Sequence, residues 1–398
     1  MSMQACFFGG ARYGRPLDAT NQKKFAAMES CGQIFVIGFA HGLSPRVFTE
    51  HARFYLLPEL PLPVLRYLEL WIGGSVLALW LILRDGVRIF VAQSPYEGFA
   101  VAVVKKIAGW LGCRIALVVE VHGDFEKSFF LERSVPFSKL YRFLMARAAR
   151  FSLGQADLLR AISSSTRQQL ERWAPGKTIV QFPAWTDIGA FLLVGRRDKE
   201  EQRLRSILYV GVLTPLKGVH RLVNAFVPIA GEFSEARLVI VGRAQNRTYA
   251  EALRQQVCDL DLDDRVEFLR AMPQSELAIW MGNAAVLVLP SSSEGLGRVI
   301  VEAMAAGTPV IGSDVGGIPD VIEDRVSGFL VPPGNEEMLT ERIRWILENP
   351  ERARVMGRKG HTFAAQFFST EMYLDSYRQI FRAAQTMGKS EKYAAFNL

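Results

Sequence analysis

Residues 285–317 read AVLVLPSSSEGLGRVIVEAMAAGTPVIGSDVGG, and this stretch decides the predicted fold. AVLVLPSS is typical of a buried strand with its turn, and GRVIVEAMAAG is typical of a helix. Gly307 lies where a C-terminal cap is expected, and Pro309 follows just before the next apolar run. A strand, a helix and a second strand in this order predict a parallel α/β unit.

The same alternation continues on both sides of this unit. The second half of the chain contains six candidate strands, ILYVGVL, ARLVIVGRA, RVEFLRA, AVLVLPSS, PVIGSDV and SGFLVPP. The first half contains QACFFGG, GQIFVIGFA, GVRIFVAQS, CRIALVVEV and LLRAISSS, each ending in a turn that carries Gly, Ser or His. We therefore predict two doubly wound α/β domains with a cleft between them, in which ligands bind at the carboxyl ends of the strands.

A polar stretch marks the predicted domain boundary. Residues 194–206, VGRRDKEEQRLRS, have no apolar periodicity and indicate an interdomain linker. We place the first domain at residues 1–190 and the second at residues 191–371.

The composition is that of a soluble globular protein, with 49% apolar and 22% charged residues. The four cysteines form no CxxC pair, which argues against structural zinc or a disulfide framework and favours a reducing cytosol. We expect no signal peptide, because the N-terminus has neither a basic nor an apolar region of that kind. The uncharged run at residues 70–83 is shorter than the ~20 residues of a membrane span, so a buried core helix is expected, with membrane-surface contact as the alternative.

The charge is unevenly distributed along the chain. Residues 1–188 contain 22 Lys and Arg against 14 Asp and Glu, a net charge of +8, whereas the remaining residues have a net charge of −1. Residues 139–151, KLYRFLMARAARF, form a basic amphipathic segment within the first half. An anionic partner such as a lipid headgroup, a lipid phosphate or a nucleotide fits this half, and the alternative is that the cations only confer solubility.

Two acidic residues in the opening stretch are candidates for ligand binding. Glu294 lies in the loop after the strand, where Gly295 and Gly297 leave backbone N–H groups free to approach a diphosphate at the helix N-terminus. Glu302 lies inside the helix, where a carboxylate can accept hydrogen bonds from adjacent ribose hydroxyls. Either acid alone is explained as well by a helix cap or a surface ion pair.

A lysine forms the second candidate cluster. In YVGVLTPLKGVHRLVNAF, residues 209–226, a strand ends at Gly211 and Lys217 opens the next helix. A cation at a helix N-terminus is electrostatically unfavourable, so its presence there indicates an anionic partner.

These motifs together resemble glycosyltransferase family 4. The resemblance rests on EGLGRVIVE, with Glu294 and Glu302 eight residues apart, on AMAAGTPVIGSDVGGIPDVI after it and on GVLTPLKG before it. The family comprises retaining, metal-independent transferases with the GT-B fold, two facing Rossmann-like domains. The resemblance also implies that the last helical stretch, about residues 372–390, crosses back to the first domain.

The resemblance implies a role for each matching residue. Glu302 would bind the donor ribose, Glu294 the hydroxyls of the transferred sugar, and Lys217 the diphosphate. Gly211, together with Gly295, Leu296 and Gly297, would present backbone to the donor. In the first half VVEVHGD matches a strand-ending motif that puts His122 beside the reacting sugar, and Gly10 follows the first strand near the diphosphate; FPAWTD matches a turn that ends at Asp187.

One position departs from the family pattern. The family writes Gly-Arg-Leu before its Lys-Gly, but this chain has Val212 in place of the arginine. A missing cation at a departing diphosphate weakens transition-state stabilisation by several kcal/mol. Arg243 and Arg298 are the candidate replacements.

The resemblance implies a retaining hexosyltransferase that uses a UDP- or GDP-linked sugar and needs no metal or other cofactor. We expect a saccharide or lipid-linked acceptor, peripheral membrane contact through the basic first domain, a cytoplasmic location and no nucleic-acid partner. The alternatives are a non-catalytic family member that binds a sugar nucleotide or a partner transferase, and a sugar-nucleotide epimerase of the same fold.

Overall fold

The computed structural model describes residues 3–126, 138–195 and 205–387. The chain divides into two compact units, one formed by Met1–Trp185 with Thr370–Leu398 and the other by Thr186–Ser369. These divisions lie near the boundaries drawn from the sequence, at 190/191 and 371/372. Most of the predicted linker, residues 196–204, lies outside the described residues.

The first unit contains an eight-stranded sheet with the order β3-β4-β2-β1-β5-β6-β7-β8. Its strands are β1 Gln4–Tyr13, β2 Gln33–Ala40, β3 Arg46–Glu50, β4 Ala52–Leu57, β5 Ile89–Ala92, β6 Ala116–Val121, β7 Leu158–Ala161 and β8 Ile179–Gln181. Its helices are α1 Ala19–Met28, α2 Pro63–Arg84, α3 Pro95–Trp110, α4 Ser138–Gln155, α5 Ser164–Trp173 and, returning from the end of the chain, α13 Thr370–Met387.

Two apolar cores lie on opposite faces of the first sheet. One joins alternate strand residues to the inner sides of α2, α3, α4 and α5. The other joins the remaining strand residues to α1 and α13, including the fully buried Phe381. Side chains of successive strand residues point to opposite faces, so a strand covered on both sides is largely apolar.

The second unit contains a six-stranded parallel sheet with the order β11-β10-β9-β12-β13-β14. Its strands are β9 Ser206–Val210, β10 Arg237–Val241, β11 Val266–Leu269, β12 Val286–Leu289, β13 Val310–Ser313 and β14 Phe329–Val331. Its helices are α6 Gly189–Gly195, α7 Val219–Glu232, α8 Arg247–Asp259, α9 Gln274–Asn283, α10 Arg298–Ala305, α11 Glu336–Glu348 and α12 Pro350–Phe367. Each of the six strands predicted in this half is present.

The sequence reading missed a hairpin in the first unit. Strands β3 and β4 are antiparallel, and the single residue between them, His51, has a φ of 59°. All the other strand pairs of this sheet are parallel. The segment IPDVIED after β13 contains only a short 3-10 turn, Ile318–Asp320.

Helix α2 differs from the buried core helix predicted for residues 70–83. It has 22 residues. By length and composition alone, its part Leu65–Arg84 could cross a membrane. Only 28% of the most apolar 18-residue stretch of this part is buried in the protein. Leu70, Ala78, Leu81 and Ile82 belong to the core, while much of the opposite side of the helix is exposed. The prediction was therefore right for one side of the helix and wrong for the other.

Candidate functional site

In the second unit, the loop after β12 brings Glu294 to the start of α10. Gly297 caps this helix with a φ of 78°, a left-handed conformation that favours glycine, and the side chain of Leu296 is buried. The backbone N–H groups of Gly295, Leu296 and Gly297 donate to no group in the part of the chain that the structure describes. They are available to an anionic ligand.

A second glycine, Gly316, is in close backbone contact with this loop. Gly316, after β13, has a φ of 60°, and a Cβ at this position would overlap the backbone carbonyl oxygen of Glu294. The chain can therefore approach Glu294 this closely only because residue 316 has no side chain.

Lys217 and Glu294 form an ion pair. Lys217 ends a 3-10 turn after β9, and Gly218, with a φ of 66°, starts α7 directly against Pro290. Lys217 Nζ lies 2.6 Å from Oε1 of Glu294, which also accepts a hydrogen bond of 2.8 Å from the buried Ser291 hydroxyl. Two residues predicted to bind the donor are thus in contact, although they are 77 positions apart.

Glu302 is a half-buried acid on α10. Its burial, together with the nearby Asp187, raises the pKa of its carboxyl to about 7 although Arg298 lowers it. No hydrogen bond to this carboxylate is present among the described residues. The group can therefore accept hydrogen bonds from a ligand, as the predicted contact with ribose requires.

Gly211 and Val212 lie at the carboxyl end of β9. A Cβ on Gly242 would overlap the carbonyl oxygen of Gly211, so the two backbones are in close contact. The carbonyl oxygen of Val212 accepts a hydrogen bond of 3.0 Å from the hydroxyl of Tyr209. Both candidate replacements for the missing arginine, Arg243 and Arg298, are exposed, and only Arg298 acts electrostatically on Glu302.

In the first unit, His122 follows β6 and contacts a buried carboxylate. Its Nε2 lies 3.0 Å from Oε2 of Glu120. Burial alone would raise the pKa of Glu120, but Arg160, His122 and Tyr377 outweigh it and hold this pKa well below its usual range. Glu120 is therefore an ionised carboxylate that orients the imidazole of His122.

The partners of Glu120 connect three distant parts of the first unit. Arg160, on β7, lies 2.9 Å from Oε1 of Glu120, and the Tyr377 hydroxyl on α13 donates to the same oxygen at 2.5 Å. The guanidinium stacks on the ring of Phe182 at 3.8 Å and donates to the carbonyl oxygen of Pro183. This buried network was not predicted, although Glu120 and Arg160 are opposite charges at paired positions of neighbouring apolar strands.

Gly10 does not follow the first strand, as was predicted, but lies within it. Strand β1 continues to Tyr13, because an irregularity between Phe8 and Arg12 bulges the chain and pairing resumes beyond it. The Gly10 N–H donates to Oε1 of Glu97 at 2.6 Å. Burial raises the pKa of Glu97 to about 7 against the effect of that hydrogen bond. A diphosphate would have to displace this carboxylate to reach Gly10.

No group of three or more His, Cys, Asp or Glu side chains that could hold a metal ion occurs within residues 3–126, 138–195 and 205–387.

The predicted site residues fall into two sets. Lys217, Glu294, Glu302 and their glycines lie in the second unit, and His122 and Gly10 lie in the first. Asp187, Glu97, Glu120 and Arg160 contact or influence them, and sequence reasoning assigned none of these four a role at the site.

Comparison with known proteins matches the second unit to a family. Residues 196–363 match the model described as glycosyl transferases group 1. The D-inositol 3-phosphate glycosyltransferase of Segniliparus rotundus is 36% identical over 45% of this chain and 40% of its own length. The N-acetyl-alpha-D-glucosaminyl L-malate synthase of Bacillus anthracis is 29% identical over 58% of this chain and 61% of its own. The chain thus spans less than two thirds of either relative.

Solved structures match both units. A sucrose-phosphate synthase from Thermosynechococcus elongatus is similar over 98% of this chain and 100% of its own, with a TM-score of 0.75 and 21% identity. The Anabaena protein HepE in complex with UDP is similar over 96% of this chain and 100% of its own, with a TM-score of 0.74 and 21% identity. The predicted class of two α/β domains with parallel sheets is confirmed, and these structural neighbours are GT-B glycosyltransferases.

Proposed function

We propose that this chain is a glycosyltransferase that moves a sugar from a nucleoside diphosphate to a saccharide or a lipid-linked saccharide. The observation that carries the proposal is the Lys217–Glu294 ion pair beside three backbone N–H groups at the N-terminus of α10 that donate to no group within the described part of the chain. This arrangement lies inside the segment that matches the group 1 glycosyltransferases. It offers a cation, backbone donors and a carboxylate, which are the groups that a sugar diphosphate would need.

The ion pair suggests how the site accepts its donor. Lys217 is bound to Glu294 in the structure, so a diphosphate would compete for the ammonium and release the carboxylate toward the hydroxyls of the sugar. When the bond between the sugar and the diphosphate breaks, its electron pair leaves with the diphosphate. Lys217 and the N–H groups of Gly295–Gly297 would stabilise that charge.

Glu302 and His122 complete the proposed roles. Among the residues that the structure describes, the Glu302 carboxylate has no hydrogen-bond partner, and it would accept the ribose hydroxyls. His122, oriented by Glu120, would contact the transferred sugar. Retention of the anomeric configuration, hexosyl transfer, independence of metals and cofactors, and membership of family 4 rest on the motif resemblance.

A uridine or guanosine diphosphate sugar is the proposed donor. The HepE structures are complexes with UDP, UDP-glucose, and UDP with glucose, and these similarities support testing uridine first. We further propose a cytoplasmic location at the membrane face, a carbohydrate acceptor and no nucleic-acid partner.

A non-catalytic sugar-nucleotide-binding protein is the second candidate, and Val212 is the observation that favours it. Such a protein would bind the nucleotide without turning the donor over. An epimerase would convert the donor without an acceptor, and the structure contains no feature that favours it.

The first experiment is a thermal-shift panel with UDP, GDP, ADP and dTDP on the wild type and on Glu302→Ala. We expect one nucleotide to raise the Tm of the wild type and to have little effect on the variant, because only a ligand that binds the folded state stabilises it. Absence of a shift with every nucleotide would contradict the proposed donor site.

A second experiment separates binding from transfer. Lys217→Met should lower kcat about 100- to 1,000-fold, as loss of a group that stabilises developing negative charge does. Arg344→Met is the matched control, because Arg344 also forms a 2.6 Å ion pair with a glutamate in the second unit, with Glu232. Nucleotide binding without transfer in the wild type would favour the non-catalytic alternative.

A further inference from the structure

Three consecutive helices cover one face of the first sheet. Helices α2, α3 and α4 bury their inner sides in one apolar core, through residues that include Leu70, Leu81, Val101 and Leu153. Gly74 lies so close to the ring of Phe8 that a Cβ there would be 2.7 Å from it. Helix α2 is therefore an integral part of the α/β fold.

The outer side of α2 is apolar as well. Leu65, Leu68, Ile72, Val76 and Leu83 are 40–68% exposed. Their spacings of three, four, four and seven residues place them along one side of a helix. An ordinary surface helix is polar on this side, so α2 presents an unusual apolar line.

The neighbouring helices extend this apolar surface. Trp110, at the end of α3, is 85% exposed, and Leu140, Phe143 and Leu144 on α4 are each more than half exposed. We call the exposed residues of α2, α3 and α4 the outer face. Exposed large apolar side chains on helices that pack side by side, α2 beside α3 and α3 beside α4, indicate an interaction site.

The charges of the same three helices are strongly basic. They contain eight Lys and Arg but only two acids, Glu69 and Glu97, and Glu97 is engaged with Gly10. Arg66 is paired with Glu59 and Lys105 with Asp157. The exposed cations include Arg84 at the end of α2, and Lys139, Arg142, Arg147 and Arg150 on α4. Long basic side chains beside an apolar face suit a surface that is apolar inside and anionic at its boundary.

The opposite face of the same sheet provides an internal comparison. It is covered by α1 and α13, on which Met372 is the single large apolar side chain exposed among those that the structure describes. Helix α13 has acids as well as bases on its surface, with Arg378 bound to both Glu371 and Asp375. The apolar and basic character is thus specific to the outer face.

We propose that the outer face binds the surface of an anionic lipid bilayer, with α2 lying in the plane of the interface. The exposed line of α2 would enter the boundary between headgroups and acyl chains, and the cations would contact lipid phosphates. The helix does not cross the bilayer in this arrangement, because its other side is packed on β1, β2 and β4. Gly74 lies against Phe8 of β1, and Leu70 and Leu81 are buried in the core. The inference locates the membrane contact proposed above, but lipid binding itself needs neither donor nor acceptor.

The test is co-sedimentation of the full chain with two kinds of vesicle. The neutral vesicles contain phosphatidylcholine only, and in the anionic vesicles about 30 mol% of the lipid is phosphatidylglycerol. The wild type should bind the anionic vesicles, and Ile72→Ser/Val76→Ser should bind about tenfold more weakly because it removes the most exposed apolar groups of α2. Arg142→Glu/Arg147→Glu should lose binding to anionic vesicles in particular. Ile279→Ser, at a 53% exposed position on α9 of the second unit, is the matched control and should bind like the wild type.

Three results would overturn the proposal. One is failure of the wild type to bind either vesicle, and another is equal binding by the wild type and both double variants. The third is a wild-type dimer in light scattering that becomes monomeric in Ile72→Ser/Val76→Ser without any vesicle binding, since a second copy would then cover the face. The nucleotide-induced Tm shift, measured on the same variants, should be unchanged, so failure of lipid binding and failure of the proposed transfer are distinguishable.

Discussion

At the scale of single residues, Glu302 is an acid whose pKa, raised to about 7 mainly by burial, lies close to physiological pH. A raised pKa means that the folded protein holds this proton more tightly than the unfolded chain does, so this group destabilises the fold as pH rises from about 4.5 to 7. The ionised carboxylate accepts from two ribose hydroxyls with both oxygens and more strongly than the protonated carboxyl does. Nucleotide affinity should therefore fall about tenfold between pH 8 and pH 6.

Calorimetric titration at both pH values checks this prediction. The matched variant is Glu302→Gln, which cannot ionise and so reports the titration of the nucleotide itself. The same pH dependence in the wild type and in Glu302→Gln would show that this carboxylate does not govern binding.

Glu120 is an acid with the opposite behaviour. Its pKa is lowered by Arg160, His122 and Tyr377 against the effect of burial, so it contributes stability above the pKa of the unfolded state, which is lost as pH falls below about 4. Glu120→Gln leaves the fully buried Arg160 without its counter-charge and should lower the free energy of unfolding by about 3–5 kcal/mol. Urea denaturation at pH 7 measures this.

The exposed pair Glu232–Arg344 is the control for this substitution, because Glu232→Gln removes the same kind of charge from a solvated site. We expect little change in the free energy of unfolding there. If Glu120 also positions His122, the pH profile of kcat in Glu120→Gln should shift, which loss of stability alone would not cause.

At the scale of secondary-structure elements, the candidate donor loop depends on the turn after β13. Gly316 combines a φ of 60° with direct backbone contact to Glu294, so Gly316→Ala must both strain its own backbone and move Glu294. The variant should lose more than about 2 kcal/mol of stability. It should also lose the nucleotide-induced Tm shift.

Gly334→Ala is the matched substitution. Gly334 also has a positive φ, of 84°, but the nearest atom to its Cβ would be a guanidinium nitrogen of Arg221 at 3.1 Å, on a side chain that can move. We expect a loss of about 1–2 kcal/mol and an unchanged nucleotide shift. If both variants changed nucleotide binding equally, Gly316 would have no specific role in holding the nucleotide site.

At the scale of the whole molecule, the last described helix of the chain, α13, packs in a core of the first unit. Phe381 on α13 is fully buried in the first unit, beside residues of β1, β2 and β5. Phe381→Ala should lower stability by about 3–5 kcal/mol, as loss of a buried aromatic ring does. Phe367→Ala on α12 is the comparison and should cost about 1 kcal/mol or less, because that ring is 45% exposed.

Calorimetry of both variants measures these losses, and the nucleotide shift identifies the unit affected. Phe381→Ala should still bind the nucleotide at temperatures well below its Tm, because the candidate donor residues lie in the second unit. A loss of nucleotide binding equal to that of Glu302→Ala would show that the two units do not respond separately.

The sequence alone determined the second unit almost completely. Its strands are mostly apolar runs, because a parallel strand covered on both faces needs few polar residues. Apart from Glu267 in the edge strand β11, their polar residues lie at strand ends. Gly297 and Gly307 mark the ends of α10. The approximate positions of Lys217, Glu294 and Glu302 followed from the same pattern, since Lys217 and Glu294 lie between a strand and the next helix and Glu302 lies within α10.

Other features were decided only by the tertiary structure. The contacts Lys217–Glu294, Gly10–Glu97 and Glu120–Arg160–Tyr377 join residues 40 to 257 positions apart, and no local period records such pairs. The bulge in β1 and the hairpin at His51 depend on how neighbouring strands pair. Periodicity shows that a residue is buried or exposed, but the pKa of a buried acid and the exposed outer side of α2 depend on which distant residues surround them.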